Sequence, residues 1–164
     1  RSKKISLSKY ILQSISPRLD QPTPRVALGL ALRGIATSAI DISDGVLGDL
    51  GHICERSGVV AELDVDAFPT SPAFDRARKT LPSAADADRL LLTGGDDYEL
   101  CFTAPPSRHQ AVLRAAKRAR TPVTCVGEIF KRNRTHRDGN FVHVVNVMGC
   151  LVNTQGWKGF DHFH

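Results

Sequence analysis

Between Thr37 and Val65 the hydrophobic period of the chain changes twice, and this limits the fold more than any other feature. "TSAIDIS" is a short apolar run rich in β-branched residues and reads as a strand. "GVLGDLGHICERSG" then repeats apolar groups at Val46, Leu47, Leu50, Ile53 and Cys54, which is helical spacing, and Gly58 stands where a C-terminal cap belongs. "VVAELDV" returns to strand. The same mixture continues downstream. "SPAFDRARKTL" reads as a helix opening on Ser-Pro, residues 84–92 as a short helix, and "PSRHQAVLRAAKRAR" as another helix. In "TGGDDYELCFTAP" the residues Tyr98, Leu100 and Phe102 fall on one face of an expected strand. "PVTCVGEIF" reads as a strand, and "FVHVVNVMGCLVN" as two strands joined near Met148-Gly149. A short, largely buried helix is expected from Arg25 to about Ala36. Strands mixed with helices in this way predict an α/β (α+β) fold, with helices packed on a mixed β-sheet.

At 164 residues, 41% of them hydrophobic, the chain can bury one sizeable core with a small appendage. Residues 1–24 are basic and serine-rich and are broken by Pro17, Pro22 and Pro24. They are expected to form a linker, or a remnant of a preceding half, ahead of one domain over 25–164. The excess of Lys and Arg gives a net charge of +5, mild enough to fit anionic small molecules as well as nucleic acid. Cys54, Cys101, Cys125 and Cys150 lie far apart in apolar stretches and read as reduced core thiols of a cytoplasmic protein. No apolar run approaches the roughly 20 residues of a membrane span. The N-terminus lacks the apolar core of a signal peptide, and a start at Arg1 predicts a processed chain or a piece of a longer one.

Two stretches carry the chemistry. "AIDISDGVLGDL" sets Asp41 and Asp44 three positions apart around Ser43, with Gly45 behind them, at the passage from strand to helix. One reading is a cap, in which Ser43 or Asp44 accepts hydrogen bonds from the first free N–H groups of the helix. The other is a ligand turn. Free N–H groups and the helix dipole attract phosphate, while two carboxylates in one crevice suit Mg²⁺, which takes one or two carboxylates plus phosphate oxygens and water. "TGGDDYEL" places two glycines and then Asp96 and Asp97 at a strand mouth, where α/β sheets collect ligands. It reads either as a solvated tight turn or as a second acidic cluster suited to a cation.

"IDISDG", "TGGDDYEL" and the ending "WKGFDHF", with "PTPRVALG" and "TPVTCVGEI" in the same order, resemble the C-terminal half of the thiamine-monophosphate kinase family. The resemblance runs from about Pro22 to Phe163. It implies an aminoimidazole-ribonucleotide synthetase (PurM) C-terminal-like domain, preceded in the complete polypeptide by an N-terminal half that carries most of the metal ligands. It further implies transfer of the γ-phosphoryl group of ATP to thiamine monophosphate, with Mg²⁺ as cofactor and a homodimer at full length. By motif position Asp41 and Asp44 match Mg²⁺ ligands, Ser43 a nucleotide contact, and Asp96 and Phe160 substrate contacts. The family usually has Glu where Asp96 stands and often Tyr where Phe160 stands. The chain alone is expected to fold and to catalyse little or nothing.

The remaining charged features read as ordinary surface. "KRNRTHRDGN" is expected to be a solvated hairpin loop, because no aromatic residues interleave with its charges. Arg114, Lys117, Arg118 and Arg120 read as a charged helix face, His162 and His164 as a surface tail, and Asp49 and His52 as exposed helix residues, with Asp49 pointing near the first turn. Rival readings are another ATP-dependent enzyme of the same superfamily, such as a selenophosphate or aminoimidazole-ribonucleotide synthetase, a non-catalytic thiamine-phosphate-binding module, and a basic RNA-binding domain.

Overall fold

The structure is a computed structural model that describes residues 9–96, 98–133 and 139–157. In chain order the elements are α1 (Lys9–Asp20), α2 (Val26–Ala31), β1 (Ser38–Asp41), α3 (Val46–Ser57), β2 (Val59–Asp64), α4 (Pro72–Arg78), α5 (Ala84–Thr93), β3 (Leu100–Thr103), α6 (His109–Ala119), β4 (Gly127–Lys131) and β5 (Val142–Val145). Each change of hydrophobic period is a change of element. α3 ends where Gly58 takes φ 64 and ψ 33, a left-handed cap that glycine adopts without steric cost. α4 and α5 start on Ser71 and Ser83, whose hydroxyls accept from the N–H groups of Phe74 and Asp86.

The strands form two sheets. β1 pairs antiparallel with β3, in the register Asp41 to Leu100 and Ser38 to Thr103. β2 lies between β4, antiparallel to it, and β5, parallel to it, so this second sheet is mixed as expected. α3 bridges the two, touching β1, β2 and β5. Its Leu50 and Cys54 pack on Ala61 and Leu63 of β2, all four nearly or fully buried. Leu28, Leu32 and Ala115 form a second cluster between α2 and α6, and Val65, Leu92 and Val144 a third. Burying each Leu or Val of these clusters contributes roughly 1.5–3 kcal/mol. α3 is thereby fixed against both sheets, and so is the turn that enters it.

Five expectations need correction. Lys9–Asp20 is helical where a break at Pro17 was expected. Proline inside a helix forfeits its own N–H donor, but the Pro17 carbonyl still accepts from Gln21, Ile11 is buried, and α1 packs against α4. α2 is shorter and less buried than expected: Leu28 is buried, whereas Val26 and Leu30 are 64% and 61% exposed. β3 begins at Leu100 and leaves Tyr98 outside it, with φ 50. β4 begins only at Gly127, and the second strand of the last hairpin reduces to one bridge between Val145 and Leu151.

Cysteine placement also departs from a uniform core role. Cys54 is buried and Cys101 half-buried, while Cys125 and Cys150 are exposed, and all four are free. Burial raises the Cys54 thiol, and burial together with neighbouring Cys54 and Asp49 pushes Cys101 up to about 11. At pH 8 such a group is thiolate in about one molecule per thousand, and only the thiolate reacts. Iodoacetamide at pH 8 is therefore expected to label Cys125 and Cys150 in the folded protein, with Cys54 and Cys101 following only in denaturant. Peptide mass spectrometry reads the order. Among the described residues no helix is long and apolar enough to cross a membrane.

Candidate functional site

β1 and β3 run on past their last strand pairs as two interlocked turns. Beyond the Asp41 and Leu100 pair, the N–H of Ile42 donates to the Glu99 carbonyl at 2.9 Å. The Ile42 carbonyl accepts from Tyr98 at 3.0 Å, and the Ser43 carbonyl accepts from Asp96 at 3.0 Å. The "DISDG" turn and the "GGDDYE" turn are thus zipped together by their own main chains. Glycine is needed at this seam for two different reasons. A Cβ on Gly95 would overlap the Ser43 carbonyl oxygen. Gly45 has φ 105, and a Cβ there would stand 2.7 Å from the Thr93 carbonyl carbon. Asp96 and Tyr98 flank the seam with φ 63 and 50, left-handed values that a bulky side chain rarely adopts and that concentrate at functional sites.

The seam brings four of the expected site residues onto adjacent turns. Asp41 ends β1 and is exposed, Ser43 and Asp44 are half-buried in the turn, and Asp96 is exposed on the facing turn. The Ser43 hydroxyl donates to Asp44 Oδ1 at 3.2 Å. Phe160, the fifth, lies outside the described residues, as do Asp97, His162 and His164. The capping reading is corrected in position: the N-cap of α3 is Gly45, not Ser43 or Asp44, and it makes no side-chain cap bond. The phosphate reading is altered as well, because the N–H groups of Ser43 and Asp44 both donate to Asp49 Oδ2, at 3.0 and 3.1 Å. Asp49, expected to be exposed, is 3% exposed.

Two carboxylates with a hydroxyl between them are hard oxygen donors and suit Mg²⁺, which fills its other positions with water and phosphate. Among the described residues no group of three or more His, Cys, Asp or Glu side chains could enclose a metal ion. The turn therefore fits a metal shared with phosphate and with further ligands, and does not fit an all-protein cage.

Sequence reasoning also passed over Glu99. Its carboxylate takes Arg25 in a two-pronged pair, Nη2 to Oε1 at 2.6 Å and Nε to Oε2 at 2.8 Å, and Arg18 at 2.7 Å. These bonds tie α1 and the start of α2 to the second turn. The Arg25 hydrogen bond holds the Glu99 carboxyl below its ordinary value, with the Arg25 and Arg18 charges adding to it against burial. The unfolded chain, with the higher pKa near 4.5, takes up the proton first. The contribution is thus whole above about pH 4.5 and disappears as pH falls through the lower folded value. Glu99→Gln is expected to flatten the acid limb of stability against pH, as read by urea denaturation between pH 3 and 7.

Comparison with known proteins agrees with this architecture. Residues 5–139 match the family model "AIR synthase related protein, C-terminal domain". The thiamine-monophosphate kinase of Haemophilus influenzae is 42% identical over 167 residues, covering 97% of this chain and 47% of the relative. A crystal structure of thiamine-monophosphate kinase from Stenotrophomonas maltophilia K279a superposes with a TM-score of 0.69 at 44% identity, over 85% of this chain and 40% of that one. A structure described as "AaThiL complexed with AMPPCP and TMP" superposes with a TM-score of 0.68 at 26% identity, over 96% and 44%. The chain spans about half the length of the curated relatives it matches.

Proposed function

The chain belongs to the AIR synthase related protein C-terminal domain family, and from that premise we propose that it forms the C-terminal half of a kinase. The reaction is transfer of the γ-phosphoryl group of ATP to thiamine monophosphate, giving thiamine diphosphate. The observation that carries the reading is the main-chain seam between the two acidic turns, in a chain 42% identical to a thiamine-monophosphate kinase. The seam joins a turn suited to a metal-bound nucleotide to a turn suited to a cationic substrate.

In this reading Asp41 and Asp44 hold Mg²⁺, and Ser43 contacts the nucleotide. Asp96 faces the positive thiazolium of thiamine monophosphate, and Phe160 packs against its ring, since a carboxylate and an aromatic face both attract such a cation. Bound Mg²⁺ would neutralise charge on the phosphoryl oxygens, which is where most of the barrier to in-line transfer lies. The chain's own residues supply orientation: the seam fixes the spacing between the two turns, and α3 fixes the first turn against both sheets. The N-terminal half of the same polypeptide provides the remaining ligands and the dimer surface, in the cytoplasm.

The test is chromatographic detection of thiamine diphosphate after incubating Mg-ATP and thiamine monophosphate with the polypeptide that joins this chain to its N-terminal half. Product is expected from that polypeptide, and little or none from this chain alone. No product from either would sink the kinase reading and favour a module that binds thiamine phosphates.

A further inference from the structure

We infer that Asp49 is the positioning residue of the turn from Asp41 to Asp44, holding its main chain inward so that a nucleotide meets the turn's side chains and metal rather than the N–H groups of Ser43 and Asp44. The inference rests on the kinase reading above.

Asp49 stands in the first turn of α3, and its own N–H donates to the Gly45 carbonyl at 3.0 Å. From there the carboxylate reaches back across the helix entrance. A single oxygen, Oδ2, accepts the N–H groups of both Ser43 and Asp44. A buried carboxylate is costly unless its lone pairs are used, and none of the ion pairs among the described residues involves Asp49. Those two N–H groups and the positive end of α3 are what meet its charge.

In an ordinary phosphate-binding strand-turn-helix, free N–H groups of the turn and of the helix start point at the anion. Here the two turn N–H groups just ahead of the N-cap Gly45, those of Ser43 and Asp44, point at Asp49 instead. The rest of the segment is held equally firmly, because Ile42 is bonded through both its N–H and its carbonyl, and the Ser43 carbonyl accepts from Asp96. From the Ile42 N–H to the Asp44 N–H, every main-chain polar group has a partner within the seam or on Asp49. Within this segment it is the side chains of Asp41, Ser43 and Asp44, and not the main chain, that carry the donor atoms for a ligand. The carboxylates of Asp41 and Asp44 make the turn electronegative, so a divalent cation is attracted and bare phosphate repelled. Binding of the nucleotide at this turn then depends on the metal.

The experiment compares the wild type, Asp49→Ala and Asp49→Asn in the polypeptide that includes the N-terminal half. Mn²⁺ affinity is read from the free-ion spin resonance signal, thermal melting is recorded, and the turnover rate is measured at saturating ATP. Asp49→Ala is expected to weaken Mn²⁺ binding and slow turnover by about tenfold each, as removal of a group that orients a metal ligand does. Asp49→Asn keeps one oxygen able to accept both N–H groups and is expected to recover most of both. A purely structural residue would lower the melting temperature and leave both quantities unchanged at 25 °C. That outcome, or an Asn variant no better than Ala, overturns the positioning role. A wild type that neither binds Mn²⁺ nor makes thiamine diphosphate overturns the reading beneath it, whatever the variants do.

Discussion

Asp44→Asn is expected to reduce thiamine diphosphate formation about 100-fold, the cost of removing one preorganised electrostatic contact to a reacting phosphoryl group. The substitution is a narrow one. The amide oxygen it introduces would still accept the Ser43 hydroxyl that now donates to Asp44 Oδ1 at 3.2 Å. The main chain is anchored elsewhere, since the Asp44 N–H donates to Asp49. The cap of α3 is Gly45, so no helix cap is lost. What the change removes is a negative charge, at a position where the proposed metal needs one. Melting is therefore expected to move by little, as for a surface-proximal isosteric change, while the rate collapses. A loss of rate matched by a loss of fold would assign Asp44 to structure. An unchanged rate would leave the metal to Asp41 and to ligands outside this chain.

That separation of roles could not be read from the sequence. The pattern Asp-x-x-Asp-Gly located the turn and the change of period located its helix, so Asp41, Ser43 and Asp44 were legible as a group. Their hydrogen bonds were not. The cap reading concerned the helix's own N–H groups and the ligand reading the free N–H groups of the turn; Asp49 stood out as near the turn, but neither reading gave it the N–H groups of Ser43 and Asp44. The available signal was an acid in the first turn of a helix, which usually means only a favourable dipole interaction. Glu99 left a weaker trace, because its partners Arg18 and Arg25 are 81 and 74 positions away. α1 was obscured for another reason: Pro17 looks like a break to local reasoning, while the packing of α1 against α4 is a tertiary effect. The period-2 run from Tyr98 to Phe102 was genuine in composition but gives way where the seam demands left-handed backbone.

The seam itself should be sensitive to added bulk, and Gly95→Ala is expected to show this. Gly95 does not have a positive φ, so an alanine could adopt its backbone conformation, and the cost is one of space alone. The added methyl would meet the Ser43 carbonyl oxygen, with the Ser43 carbonyl carbon at 3.0 Å and the Asp44 Cα at 3.4 Å. All three are backbone atoms of the turn proposed to carry the metal, and none can swing aside as a side chain would. Relief requires the two turns to separate, which stretches the hydrogen bond from Asp96 to Ser43. Overpacking and a weakened main-chain hydrogen bond together predict a loss of about 2–4 kcal/mol, measured by urea denaturation. Activity should fall more than stability suggests, because Asp96 and the Ser43–Asp44 pair would no longer keep their spacing. Gly51→Ala supplies the opposite sign. Gly51 lies within α3, no heavy atom stands within 4 Å of where its Cβ would be, and its φ is not positive. Alanine there should stabilise the helix by up to about 1 kcal/mol. If both glycines tolerate alanine alike, the two turns are not clamped to one another, and the spacing of the proposed metal and substrate turns has to come from outside this chain.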